Sequence, residues 1–183
     1  EALNNRSGLI EASDRLLVQG DQLDNQNGQL RALGESGESR IKLAKHIANG
    51  EGLIEIGNAR FSLSSASLSN HDGRLLHLGS EGFALNVTDL NRAGGSLISS
   101  SDLSLSTDSW VNSGLVQARN LSVNVVQFSQ EFGGQLIGTN SFAGSGMDWV
   151  SDGLLASDGD FNLDLGGDYR GYGTITSLGN MQL

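Results

Sequence analysis

Apolar residues in this chain come in short alternating pieces and never in long runs. LLV at Leu16, IKL at Ile41, FSL at Phe61, FAL at Phe83, LSL at Leu103, LSV at Leu121, FNL at Phe161 and MQL at Met181 each flank a middle residue with two apolar ones. Alternation of this kind sends one side chain inward and the next outward, as in a strand. In FNL it places Phe161 and Leu163 inside and Asn162 outside. Only FAG at Phe142 weakens the series.

A second, more polar piece precedes each of these. LNNRSGLI, LDNQNGQL, IANGEGLI, LSNHDGRL and LNRAGGSL begin at Leu3, Leu23, Ile47, Leu68 and Leu90, and looser versions follow at Trp110, Phe128, Trp149 and Tyr169. The nine starts are separated by 20, 24, 21, 22, 20, 18, 21 and 20 residues. Every unit carries a glycine (Gly8, Gly28, Gly52, Gly73, Gly95, Gly114, Gly134, Gly153, Gly173) with an aliphatic residue two positions later. A period near 20 with short strands in each unit predicts an all-β chain folded as a parallel β-helix, or solenoid, of about nine rungs. A right-handed coil is expected, because parallel crossovers nearly always take that hand. Rungs spaced by about 4.8 Å would make a rod roughly 40 Å long. The L-x-x-L-x-L-x-x-N frame of leucine-rich repeats is not kept, and the strands are too short for an outer-membrane barrel.

Residues at one offset become columns in such a stack. Asn5, Asn25, Asn49, Asn70 and Asn112 share an offset where asparagine would tolerate a left-handed corner and bond from rung to rung. A ligand-binding amide row is the lesser alternative. Trp110, Phe128, Trp149 and Tyr169 replace the leucine that opens the earlier units, which predicts an aromatic stack in a wider core rather than an exposed sugar-binding row. Asp21, Asp89, Asp108, Asp148 and Asp168 lie just before that strand and read as turn residues; a calcium column is the weaker reading, since the G-G-x-G-x-D nonapeptide is absent. The second unit is the longest, with GESGESR at 34–40 expected to project as a loop, and its Glu35, Glu38 and Arg40 are the candidate partner-binding residues.

Composition narrows the field further. Proline is absent, where average usage of about 5% would give roughly nine. Since proline cannot donate to a hydrogen-bond ladder, its absence suits a chain made of inner strands. Cysteine is absent too, so no disulfide framework or thiolate metal site exists. The net charge of −10 disfavours nucleic acid and anionic membranes as partners, and no 18-residue apolar run predicts membrane insertion. The opening EALNNRSG already belongs to the repeat, so residues 1–183 read as one solenoid segment of a longer protein.

No catalytic constellation is found, and the chain is read as a non-enzyme. Polysaccharide cleavage needs carboxylates converging with a Lys or Arg on one face. The two lysines, Lys42 and Lys45, both sit beside the insertion, and the arginines fall at scattered offsets. His46, His71 and His77 show no metal-ligand spacing, and His71 and His77 are expected on the outer side of their rung. No cofactor or metal is implied.

The units LNNRSGLIEA, LDNQNGQLRA, LSNHDGRLLHL and WVSDGLLASDGDFNLDLGGDY resemble the haemagglutinin repeats of bacterial two-partner secretion exoproteins, the filamentous haemagglutinin-type adhesins and contact-dependent growth inhibition effectors. The resemblance covers essentially the whole chain. It implies an extracellular filamentous stalk on a Gram-negative cell, exported by an outer-membrane secretion partner and carrying a receptor-binding or toxin region toward a target-cell surface receptor. The alternative is that the segment itself binds a surface protein or glycan.

Overall fold

A computed structural model of the chain describes residues 1–92 and 94–183, with Asn91 and Arg92 described by backbone alone. Among the described residues there are eighteen strands and no helix, hence none long and apolar enough to cross a membrane. All strand pairings are parallel, each between one rung and the next. The chain is therefore a β-solenoid of about nine rungs with a period near 20 residues.

Each rung has three faces. In the first rung these are β1 (Ala2–Asn4), β2 (Leu9–Ala12) and the start of β3 (Leu17–Asp24), which runs on into the first face of the second rung. The predicted columns stand in register. On the first face Leu3 pairs with Leu23 and Leu23 with Ile47, and later Trp110 with Phe128, Phe128 with Trp149 and Trp149 with Tyr169. On the second face Ile10, Leu30, Ile54 and Leu75 form one continuous row. On the third face Phe161 and Leu163 are buried while Asn162 is exposed, as the alternation predicts.

The invariant glycine has a cause that the sequence alone did not reveal. A Cβ on Gly28 would lie 2.1 Å from the Asn5 carbonyl oxygen, and one on Gly52 would lie 2.2 Å from that of Asn25. At Gly28, Gly52 and Gly73 the main chain of the preceding rung occupies the space any side chain would need, so stacking, not turn conformation, demands the glycine there, whereas Gly95 also has a left-handed φ of +61°. Left-handed backbone belongs to the residue just before it: Ser7, Asn27, Glu51 and Asp72 have φ between 53° and 56°. The expectation that asparagine adopts that conformation is thereby corrected. In each of these corners the glycine N–H donates to the carbonyl of the asparagine three residues earlier, closing a tight turn.

The asparagine side chains form a ladder. Asn5 Nδ2 donates to Asn25 Oδ1 at 2.6 Å, Asn25 to Asn49 at 2.7 Å and Asn49 to Asn70 at 2.7 Å. All four are buried, so each amide satisfies its neighbour where water is excluded. Ala93, in the fifth unit's corner, lies outside the described residues. Beyond that corner the column loses its rung-to-rung amides. Among the described residues the Asn112 side chain bonds only within its own turn, to Gly114, and Gln130 donates to the Gly134 and Leu154 carbonyls instead.

The aromatic column replaces the ladder as the ordering feature of the later rungs. Trp110, Phe128 and Trp149 are fully buried with successive ring centroids 5.1 and 4.7 Å apart, and Tyr169 is half-buried at the end of the row. The Trp149 indole N–H donates to the Val125 carbonyl at 2.9 Å. This explains the weak FAG unit. A Cβ on Gly144 would meet Leu163 Cδ1 at 2.7 Å and Trp149 Cη2 at 2.8 Å, so the indole occupies the volume that a leucine or valine fills in other rungs.

Candidate functional site

The insertion does not form the projecting loop expected of 34–40. Ala12 pairs with Ala32 but Leu17 pairs with Arg40, so three extra residues lie between these pairs. Gly20 pairs with Leu43 and Gln22 with His46, which places the fourth extra residue further along as a bulge. Glu38 and Arg40 are therefore inside β5 (Glu38–Ala48), their side chains flanking the buried Ser39, and only residues 33–37 bend outward. Arg40 pairs with Glu38 at 2.8 Å, while Glu35 is exposed on the bend. The strand resumes so early because Ser39 is tied inward: its hydroxyl donates to Asn58 Oδ1 at 2.6 Å and accepts the Leu16 N–H at 2.8 Å.

Glu38 nevertheless borders an open groove of about 570 Å³ that crosses the third face. Its floor is made of short outward residues (Ser62, Ala84, Ser104, Ser122 and Ala143), and Arg60, Glu81, Asp102 and Asn120 stand along one side. The polar groups along that side are already paired: Arg60 with Glu81 at 2.6 Å, and Asn120 Nδ2 donating to Asp102 at 2.6 Å. Glu35 lines a separate depression with Leu33, Glu55 and Leu78. The structure thus places Glu38 and Glu35 on different surfaces, and Arg40 lines neither.

His77 is not on the outer side of its rung; it is fully buried beside the stacked rings of Phe61 and Phe83. It occupies the inward parity of the second face, two residues after Leu75, so the alternation of RLLH was the available signal. One ring nitrogen, Nε2, lies 3.0 Å from the Asn58 carbonyl and must carry the proton there, while Nδ1 accepts from Ser99 Oγ at 3.0 Å. Burial pushes its pKa below the usual histidine value of 6.5, keeping it neutral. With Ser39, Asn58, Ser99 and Ser101 it makes a polar seam inside the second corner.

His46 and Ser67 approach on adjacent rungs, Nδ1 to Oγ 2.8 Å, the distance of a base activating a hydroxyl. Among the described residues no carboxylate bonds the other imidazole nitrogen, and neither residue lines a cavity described above. The exposed His71 ring pairs with the exposed Asp72, at 3.1 Å. Among the described residues no group of three His, Asp or Glu side chains converges as metal ligands would.

Asp21, Asp89, Asp108 and Asp148 lie inside strands and not in turns, which corrects the turn reading; Asp148, with Asp152 and Asp160 outside that column, caps main chain. Asp148 Oδ1 accepts the Asp168 N–H at 3.0 Å, Asp152 Oδ1 accepts the Tyr172 N–H at 2.9 Å, and Asp160 Oδ1 accepts the Asn180 N–H at 2.9 Å. The Asp168 N–H, helped by Gln127, holds the Asp148 carboxyl below the usual 3.8. Asp168 itself pairs with Arg170.

The sequence reading passed over Phe132 and Tyr172. Both are almost wholly exposed, at 93% and 99%, and both line a cleft of about 340 Å³ on the first corner. For Phe132 the signal was corner length. Three residues separate Gln130 from Gly134, where one separates Asn112 from Gly114 and one separates Ser151 from Gly153.

No family model, curated protein or solved structure matches this chain.

Proposed function

We propose that the chain is a stalk segment of a filamentous bacterial exoprotein of the two-partner secretion type, a non-enzymatic rod that carries a receptor-binding or toxin region away from the cell surface. The observation that carries this reading is the parallel pairing of each rung with the next among the described residues. A rung whose edge is a template for the following one can be added indefinitely, so length is set by repeat number and not by a closed core. A cysteine-free, proline-free chain is suited to crossing an outer membrane unfolded and folding rung by rung outside. On this reading the partners are an outer-membrane secretion protein and a target-cell receptor, with no cofactor.

Antibody labelling of an epitope in this segment on intact producing cells is the test. Surface labelling that disappears when the outer-membrane partner is deleted is the expected result. A segment that remains inside the cell, with the partner present, would overturn the proposal.

A further inference from the structure

We infer that the first corner of rungs seven to nine is a binding site for a neutral glycan, with a pyranose ring held between Phe132 and Tyr172. The inference is independent of the stalk reading, since a rod can present such a site wherever it is displayed.

Phe132 projects because its corner is longer than those on either side. It is followed by Gly133, whose φ of +91° turns the chain sharply back. Tyr172 sits between Gly171, with a φ of +130°, and Gly173 in the turn joining the strands Tyr169–Arg170 and Thr174–Ser177. Exposing two large rings in water is unfavourable, and nothing in the rod's own packing requires either of them. The eighth rung lies between them with the short corner Ser151-Asp152-Gly153, leaving a recess.

The dimensions match one sugar. Gln135 pairs with Leu154 and Leu154 with Thr174, so the two aromatic corners are two rungs, roughly 10 Å, apart. A ring packed on both faces needs two van der Waals contacts of about 3.5–4.0 Å plus its own thickness. Pyranose C–H faces are apolar and slightly positive, which suits the negative face of an aromatic ring. The cleft volume of about 340 Å³ is at the lower limit for a ligand site, enough for one or two sugar units.

Polar groups stand where hydroxyls would be. Gln135 and Thr174 line the cleft, as does Asp152, whose Oδ1 is fixed by the Tyr172 N–H while its second oxygen accepts no hydrogen bond among the described residues. Asp152 is the sole charged residue lining the cleft, Glu131 adjoins it in sequence, and the chain carries a net charge of −10. Sulfated, uronic or sialylated glycans would be repelled, which leaves a neutral one.

The test is calorimetric titration of the whole chain with cellohexaose, maltohexaose and chitohexaose, with heparin as the anionic probe. At least one neutral oligosaccharide should bind with a dissociation constant of roughly a millimolar or tighter. Phe132→Ala and Tyr172→Leu should each weaken that binding by about tenfold or more, while Tyr172→Phe retains it. Both residues are exposed, so the melting temperatures of these variants should match the wild type and make loss of binding readable. Binding that survives the double variant, binding of heparin in preference to the neutral probes, or no binding of any neutral probe at several millimolar would each overturn the inference. None of these outcomes bears on the surface-labelling experiment, so the two readings fail separately.

Discussion

The first four rungs and the last four solve the same problem with different chemistry. Each rung must be fixed in register on the next, because a slip of one residue would turn every inward side chain out. In the first four rungs the lock is polar and internal: the ladder Asn5–Asn25–Asn49–Asn70, with Arg31 outside bridging Glu11 at 2.9 Å and Glu55 at 2.8 Å. In the last four it is apolar inside and polar outside. Trp110, Phe128 and Trp149 interleave in the core, while Asp148, Asp152 and Asp160 reach across the surface to the next rung's N–H groups. A hydrogen-bond ladder specifies register through direction, an aromatic stack through volume. The same backbone coil accepts either.

The largest effect should come from removing volume. Trp149→Ala should destabilise the chain by about 3–5 kcal/mol in urea denaturation, since it empties a fully buried site and frees the Val125 carbonyl. Gly144→Ala should cost about 1–3 kcal/mol through its clash with the indole and Leu163. If the glycine exists to make room for Trp149, part of that cost should vanish in the Trp149→Ala background, where the Leu163 contact remains. Additive costs in the double variant would break the link between FAG and the aromatic core.

Next in size is the ladder itself. Asn49→Ala should cost about 2–4 kcal/mol, because it strands the Asn25 donor and the Asn70 acceptor in a buried column. Asn112→Ala, at the same offset, should cost only about 1 kcal/mol, since among the described residues its side chain bonds only to Gly114. Equal losses at the two positions would mean that the amide matters to its own corner and not to the stack.

These contrasts also mark what the sequence discloses. The glycine and the inward columns were legible because all nine rungs meet the same constraint, so repetition exposes it. Leu23, Leu30, Phe161 and Trp149 fell where the alternation put them. The reason for the glycine was not legible, because the Asn5 carbonyl that excludes a side chain from Gly28 is 23 residues away and enters only with rung-to-rung stacking. Glu38 and Arg40 were read as loop because insertions are counted in sequence but absorbed in register, part at a bend and part at a bulge. His77 was misplaced because histidine's polarity outweighed its parity with Leu75. Phe132 and Tyr172 were missed because each occurs once, and a search for recurrence discards what does not recur.

The smallest effect separates the two halves by pH. His77 has a folded pKa lowered beneath 6.5 by burial, so the unfolded chain binds its proton first. Its contribution is fully present above pH 6.5 and is lost as pH falls from 6.5 toward the lowered value, with a slope no steeper than about 1.4 kcal/mol per pH unit. Asp148 has a folded pKa held under 3.8, so its contribution persists above 3.8 and is lost only as pH falls through that lower value. Amide hydrogen exchange between pH 6.5 and 4 should therefore show protection falling around Asn58, His77 and Ser99, with the strands around Trp149 and Asp168 unchanged. In a His77→Gln variant the first of these pH responses should disappear. Loss of protection spread evenly along the rod in that window would mean that the buried imidazole does not act locally, and that the polar seam and the aromatic stack open as one cooperative unit.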